Sequence, residues 1–133
     1  MTPIGVSNKA LWTGRVLSTI VILFLLMDAS IKLIRLPAAV EGTKQLGYPV
    51  SSILPLGIVL LACVILYAIP QTAVLGAIFL TGYLGGAVAT HVRVGNPLLT
   101  HILAPTYFAA AIWLGLWLRD PRVRAVVPFR ARP

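Results

Sequence analysis

Four apolar runs limit what this chain can become. A helix needs about 20 mostly apolar residues to cross ~30 Å of hydrocarbon. The stretches "STIVILFLLM", "LGIVLLACVILYA", "AVLGAIFLTGYLGG" and "LLTHILAPTYFAAAIWLGLWL" can each be extended to that length. Backbone crossing lipid must satisfy its own hydrogen bonds, so the runs read as helices. The expected fold is all-α, an integral membrane four-helix bundle with helices over about 11–36, 50–69, 72–92 and 98–118. It forms a single domain, 1–133, ending in a basic cytoplasmic tail, 119–133. With 59% hydrophobic and 11% charged residues, a water-soluble globular domain is excluded.

The purely apolar part of the first run, Val16 to Met27, is too short to cross alone and carries Asp28 and Lys32 into or near the membrane. A signal peptide fits this region poorly, because Met27 would occupy the minus-three position of a cut after Ala29. The segment "LPAAVEGTKQLGYP" holds Pro37, Gly42, Gly47 and Pro49, and reads as a loop with room for a short helical turn.

The net charge of +8 resides mainly at span ends and in the tail, which indicates anionic lipid headgroups rather than nucleic acid as the partner. One flank collects Lys9, Arg15, Arg119, Arg122, Arg124, Arg130 and Arg132, and the other Lys32, Arg35, Lys44 and Arg93. Seven against four places both termini in the cytoplasm of a plasma-membrane protein. Trp12, Trp113 and Trp117 then lie at the cytoplasmic interface, where amphipathic rings concentrate. Cys63 is the single cysteine, which excludes an intrachain disulfide or a cysteine zinc site.

This topology gathers Asp28, Lys32, Glu41, His91, Arg93 and His101 in one outer layer. Ionisable residues within spans cost ~2.5–3.5 kcal/mol on insertion scales, so they usually face the bundle interior and find partners. Asp28 and Lys32 lie about 40° apart on a helix, suited to an i, i+4 ion pair. Gly82 and Gly86 form a small-xxx-small face for close helix packing or dimerisation. His91 lies about 180° around the helix from Gly82, so in a regular helix His91 and Arg93 do not share a cavity. Gly95 and Pro97 suggest that the helix stops before Arg93. Pro105 frees the carbonyl of His101 and marks a kink beside it. Tyr83 and Tyr107 read as packed, hydrogen-bonded phenols.

The stretch "LTGYLGGAVATHVRVGNP", with "YAIPQTAVLGAIF" before it and "WLGLWLRDPRVRAVVP" after it, resembles the DoxX-like family of small four-span membrane proteins. The likeness covers about Val16 to Pro128, and the matching positions are Asp28, Lys32, Gly82, Gly85, Gly86, His91 and Arg93. The resemblance implies a four-helix bundle in the plasma membrane. Its relatives include members linked to thiosulfate and quinone chemistry, accessory proteins of other redox systems and a receptor-assembly chaperone. With Cys63 alone, this chain departs from the thiol-linked members.

Three functions follow. In the first, an outer-leaflet polar site binds a small lipophilic molecule such as a quinone, in or as an accessory to membrane redox chemistry with a partner redox protein. Lys32, Arg93 and His101 then bind ligand, while Asp28 and His91 relay protons. Haem held by the two histidines is a variant of this reading. In the second, Asp28 and His91 are the acid and base of a membrane-embedded isomerase, cyclase or hydrolase acting on a lipophilic substrate. In the third, the protein is a non-catalytic assembly factor whose glycine face forms a homo-oligomer. No metal-ligand spacing such as HExxH is present, and the residues name no resident cofactor.

Overall fold

The architecture is taken from a computed structural model, which describes residues 6–126. Arg130 and Arg132 therefore lie outside the described residues. Among the described residues there is no strand. The helices are α1 (Asn8–Leu33), α2 (Pro37–Gln45), α3 (Ile53–Ala68), α4 (Ala73–Val94), α5 (Ala104–Arg119) and α6 (Pro121–Val126). Single 3-10 turns, Val50–Ser52 and Pro70–Thr72, lead into α3 and α4, and a π-helical turn, Leu98–Ile102, precedes α5. Four segments are long and apolar enough to cross a membrane: Asn8–Leu33, Val50–Ala68, Pro70–Val94 and Leu98–Arg119.

Local chemistry sets the boundaries. Ser7 caps α1 by accepting a hydrogen bond from Ala10 N at 3.2 Å. The helix stops at Leu33 rather than near Leu36, because Arg35 turns into the left-handed region at φ 53°. Pro37 then starts α2 at a position where its missing N–H costs nothing. This nine-residue helix occupies most of the segment expected as a loop.

α4 continues past Arg93, correcting the expected early stop. Gly95, at φ 73°, closes it with Gly95 N on Val92 O and Asn96 N on His91 O, both 3.1 Å. In place of a kink at His101 there is a break. His101 N and Ile102 N share Pro97 O, and α5 begins anew with Pro105 in its first turn.

α1 and α4 stand diagonally opposite each other, each packed on both α3 and α5. One end of the bundle carries the start of α1 and the close of α5 (the terminal end), and the other carries α2 (the distal end). The terminal half is tight. A Cβ on Gly14 would lie 2.8 Å from Gly115 O, and one on Gly76 would enter the backbone of Tyr67. Leu60, Val64, Tyr67, Ala77, Leu80, Ile112 and Leu116 are all buried there. Outward residues such as Ile20, Leu23, Ile58, Ile78 and Phe79 are exposed and apolar, as hydrocarbon requires. Outward hydroxyls bond back to carbonyls four residues earlier, Thr19 to Arg15 and Ser30 to Leu26, each at 2.7 Å.

The distal half is open on its α4 side, while α1 and α3 stay packed there around Ala29, Ile53 and Gly57. A Cβ on Gly82, Gly85 or Gly86 meets nothing within 4 Å. Among the described residues of this chain no neighbouring helix comes that close to Gly82 or Gly86, and both line a cavity. Closure at Gly14, Gly76 and Gly115 with none at Gly82 and Gly86 leaves the bundle filled at one end and hollow at the other.

The first part of the expected tail is structured. α6 folds back, burying Val123, and Arg124 donates to Trp117 O at 2.6 Å and Leu118 O at 3.0 Å, capping α5.

Candidate functional site

The distal hollow is a cavity of about 510 Å³, within the range of small-molecule sites. α1 contributes Phe24 and Leu25, α3 Leu56, α4 Gly82 to Leu84 with Gly86 and Ala87, and α5 Pro105 and Phe108. Phe24 stacks on Phe108 with ring centroids 4.7 Å apart, tying α1 to α5 along the wall. A second cavity of about 350 Å³ lies beneath α2, lined by Ala39, Gly42, Gln45 and Asn96 among others. The two share Asp28, Lys32, Thr43, Leu46, His91 and His101, and all of these but Leu46 form a polar collar where the cavities meet.

Asp28 and Lys32 pair as the spacing predicts, with Nζ 2.5 Å from Oδ2. The lysine side chain is the more enclosed, at 18% exposure against 34% for the aspartate. Its stem fits because α3 places Gly57 opposite, where a Cβ would lie 3.0 Å from Lys32 Cβ.

His91 and His101 come from different segments yet sit edge to face with ring centroids 5.9 Å apart. Asn96 Nδ2 lies 2.7 Å from His91 Nδ1 and can only donate, so the neutral imidazole carries its proton on Nε2. Nδ1 of His101 is engaged by Thr100 Oγ1 at 2.8 Å. Each ring thus has Nδ1 occupied locally, leaving Nε2 for a ligand.

Arg93 points elsewhere. Its Nη2 donates to Leu46 O, closing the C-terminus of α2, and it does not line either cavity. Gly47, at φ 82°, passes beneath the guanidinium, and a Cβ there would lie 2.8 Å from Nη2. The sequence argument that His91 and Arg93 do not share a cavity agrees with this placement. The same angular argument separated His91 from Gly82, yet both line the larger cavity, because α4 presents about half its circumference to the hollow.

Sequence reasoning missed the residues of α2 and its exit. Tyr48 OH lies 2.8 Å from Thr90 Oγ1, which itself bonds Gly86 O at 2.8 Å, pinning the α2–α3 connection to α4. Thr43, buried under α2, faces both cavities. Pro37 followed by Ala-Ala-Val-Glu was the available signal for a helix there. Also missed was a polar cluster in the terminal half. The fully buried Tyr67 donates to Ile112 O at 2.8 Å and lies 3.0 Å from Ser18 Oγ, while Arg119 Nε reaches Ser18 Oγ at 3.2 Å. Trp113 donates to Thr81 at 2.8 Å, and Tyr107 is exposed rather than packed inside. Among the described residues no group of three or more His, Cys, Asp or Glu side chains is placed to hold a metal ion.

Four apolar spans, a hollow end and the paired Asp28 and Lys32 coincide with a sequence match: the profile of the DoxX-like family covers residues 16–115. The chain belongs to the DoxX-like family. As a DoxX-like protein it is a multi-span membrane protein in contact with lipid. The family match ends at Gly115, before α6. No curated protein and no solved structure matches it.

Proposed function

We propose that this DoxX-like protein binds a small lipophilic molecule with carbonyl oxygens, such as a quinone, and serves membrane redox chemistry as the binding and proton-handling subunit of a partner redox protein. The observation that supports this is the collar. An apolar cavity of about 510 Å³ ends at an ion pair and two imidazoles whose Nε2 atoms are unused. Such a wall solvates a ring or chain, and the few convergent polar groups orient it.

In this reading His91 Nε2–H donates to a ligand carbonyl and His101 holds its other edge. As the partner delivers an electron, the carbonyl oxygen takes a proton from the imidazole, and the Asp28 carboxylate relays a replacement proton from water, so that Lys32 keeps its charge. Lys32 offsets negative charge at the oxygen during that step. Arg93 takes no part at the ligand and positions α2 instead. The protein lies in the plasma membrane with both termini cytoplasmic, so the collar faces outward, and Arg119, Arg122 and Arg124 sit among anionic headgroups.

The test is saturable binding of a short-tailed quinone to protein in nanodiscs. Asp28→Asn and His91→Ala should each weaken binding about tenfold, or ~1.4 kcal/mol, with unchanged insertion. Equal binding by both variants contradicts the proposal. Orientation has its own test, since Cys63 is buried. A Glu41→Cys reporter on α2 should react with a membrane-impermeant thiol reagent added outside intact cells, and reaction only after lysis reverses the topology.

A further inference from the structure

The paired cavities point to the shape and polarity of the ligand. We infer that the site takes a single-chain amphiphile with an uncharged, hydrogen-bonding head, seated head-first in the cavity beneath α2 with its chain in the larger one. This rests on the lipophilic-ligand reading above and narrows it.

The two hollows differ in chemistry. The larger has an apolar wall, with Phe24, Leu56, Leu84 and Phe108 on it. The smaller is lined by Gln45, Asn96, Thr43 and the collar, with Ile31, Ala39 and Gly42 as its apolar part. A molecule spanning both must therefore change from hydrocarbon to polar groups at the collar. Their volumes, about 510 and 350 Å³, suit one drug-sized molecule rather than a two-chain lipid with its backbone.

Charge decides the kind of head. The charged side chains lining the smaller cavity are Asp28 and Lys32, already bound to each other. Arg93 is committed to the end of α2, and Arg35, Glu41 and Lys44 do not line the cavity. A phosphate or carboxylate head would have to draw Lys32 away, leaving the Asp28 carboxylate unpaired beside a second anion. A carbonyl, amide or hydroxyl needs no such exchange. It accepts from His91 Nε2–H and from amide N–H groups while the ion pair stays intact.

Competition in nanodiscs tests this, using a radiolabelled decyl-substituted benzoquinone as the retained probe. Unlabelled decanol and decanamide should displace it, while decyl phosphate should compete at least about tenfold less well. Benzoquinone without a chain should also compete weakly. Gly42→Leu, on the α2 wall where an added Cβ meets nothing within 4 Å, fills the head space without touching the ion pair. It should lower retention about tenfold while the protein inserts and migrates normally. Decyl phosphate competing as well as decanol, or unchanged retention in Gly42→Leu, overturns the inferred head while the lipophilic-ligand reading stands. No saturable retention of the probe overturns both.

Discussion

Asp28 Oδ2 and Lys32 Nζ lie 2.5 Å apart, one helical turn from each other on α1, at the junction of two cavities. The pair allows two charges to be carried at the distal end of a span, since each offsets the other's desolvation. Removing one member leaves the other exposed to that penalty. Asp28→Asn should lower thermal stability by about 1–2 kcal/mol, less than for a fully buried pair because the aspartate is partly exposed. The double variant Asp28→Asn with Lys32→Met should recover most of that loss without recovering ligand binding. Thermal unfolding of the three proteins in one detergent checks this.

Glycine substitutions should separate the two halves of the bundle. Gly76→Ala places a methyl against the Tyr67 backbone, and overpacking there should cost about 1–3 kcal/mol. Gly82→Ala meets open space, so the gain in helix propensity should leave stability equal or higher by up to about 1 kcal/mol. Melting temperatures moving in opposite directions support the hollow distal end, and parallel losses contradict it.

α2 is held at its end by Arg93 and flanked by left-handed residues, Arg35 and Gly47. Gly47→Ala forces an L side chain into that conformation and against the guanidinium, at about 1–2 kcal/mol. Amide exchange in Pro37–Gln45 should then accelerate about tenfold or more, with Leu60 to Tyr67 of α3 unchanged. Arg93→Ala should produce the same pattern. Uniform acceleration through the bundle would show that α2 is not a separately held element.

How much of this the sequence revealed depends on the range of the interaction. Span positions follow from residue-by-residue hydropathy, and the Asp28–Lys32 pair from a separation of one turn. The common layer of His91 and His101 follows from counting crossings. Three features needed the tertiary structure. Gly82 and Gly86 carry a packing motif, but whether a backbone meets it depends on where α1, α3 and α5 pass. The direction of Arg93 depends on Leu46, 47 residues away in the chain, and the Ser18–Tyr67 contact spans 49. α2 was obscured by the glycines and prolines in and just after it, although Pro37 at the first turn favours the helix rather than breaking it.

Acid should loosen the α5–α6 corner. Burial raises the pKa of Asp120, but hydrogen bonds from Arg122 and the charges of Arg122 and Arg119 outweigh that and hold the carboxyl below its ordinary value. A depressed carboxylate contributes stability that is present above its unfolded pKa, ~3.9, and lost as pH falls through the folded value. Docking of α6 should therefore be constant from about pH 7 to 5 and weaken below about pH 4. Arg124 lies over the Trp117 ring at 4.6 Å, so Trp117 fluorescence reports the change. Asp120→Asn should abolish the acid transition, and a transition persisting in that variant assigns it to another group.

The most direct test of the ligand-binding account is mass spectrometry of the organic extract from purified wild-type protein and from Gly82→Leu, whose new side chain occupies the larger cavity. The account predicts a lipophilic compound in stoichiometric amount with the wild type and its loss from a variant that remains folded. The same compound in the same amount from both proteins would contradict it.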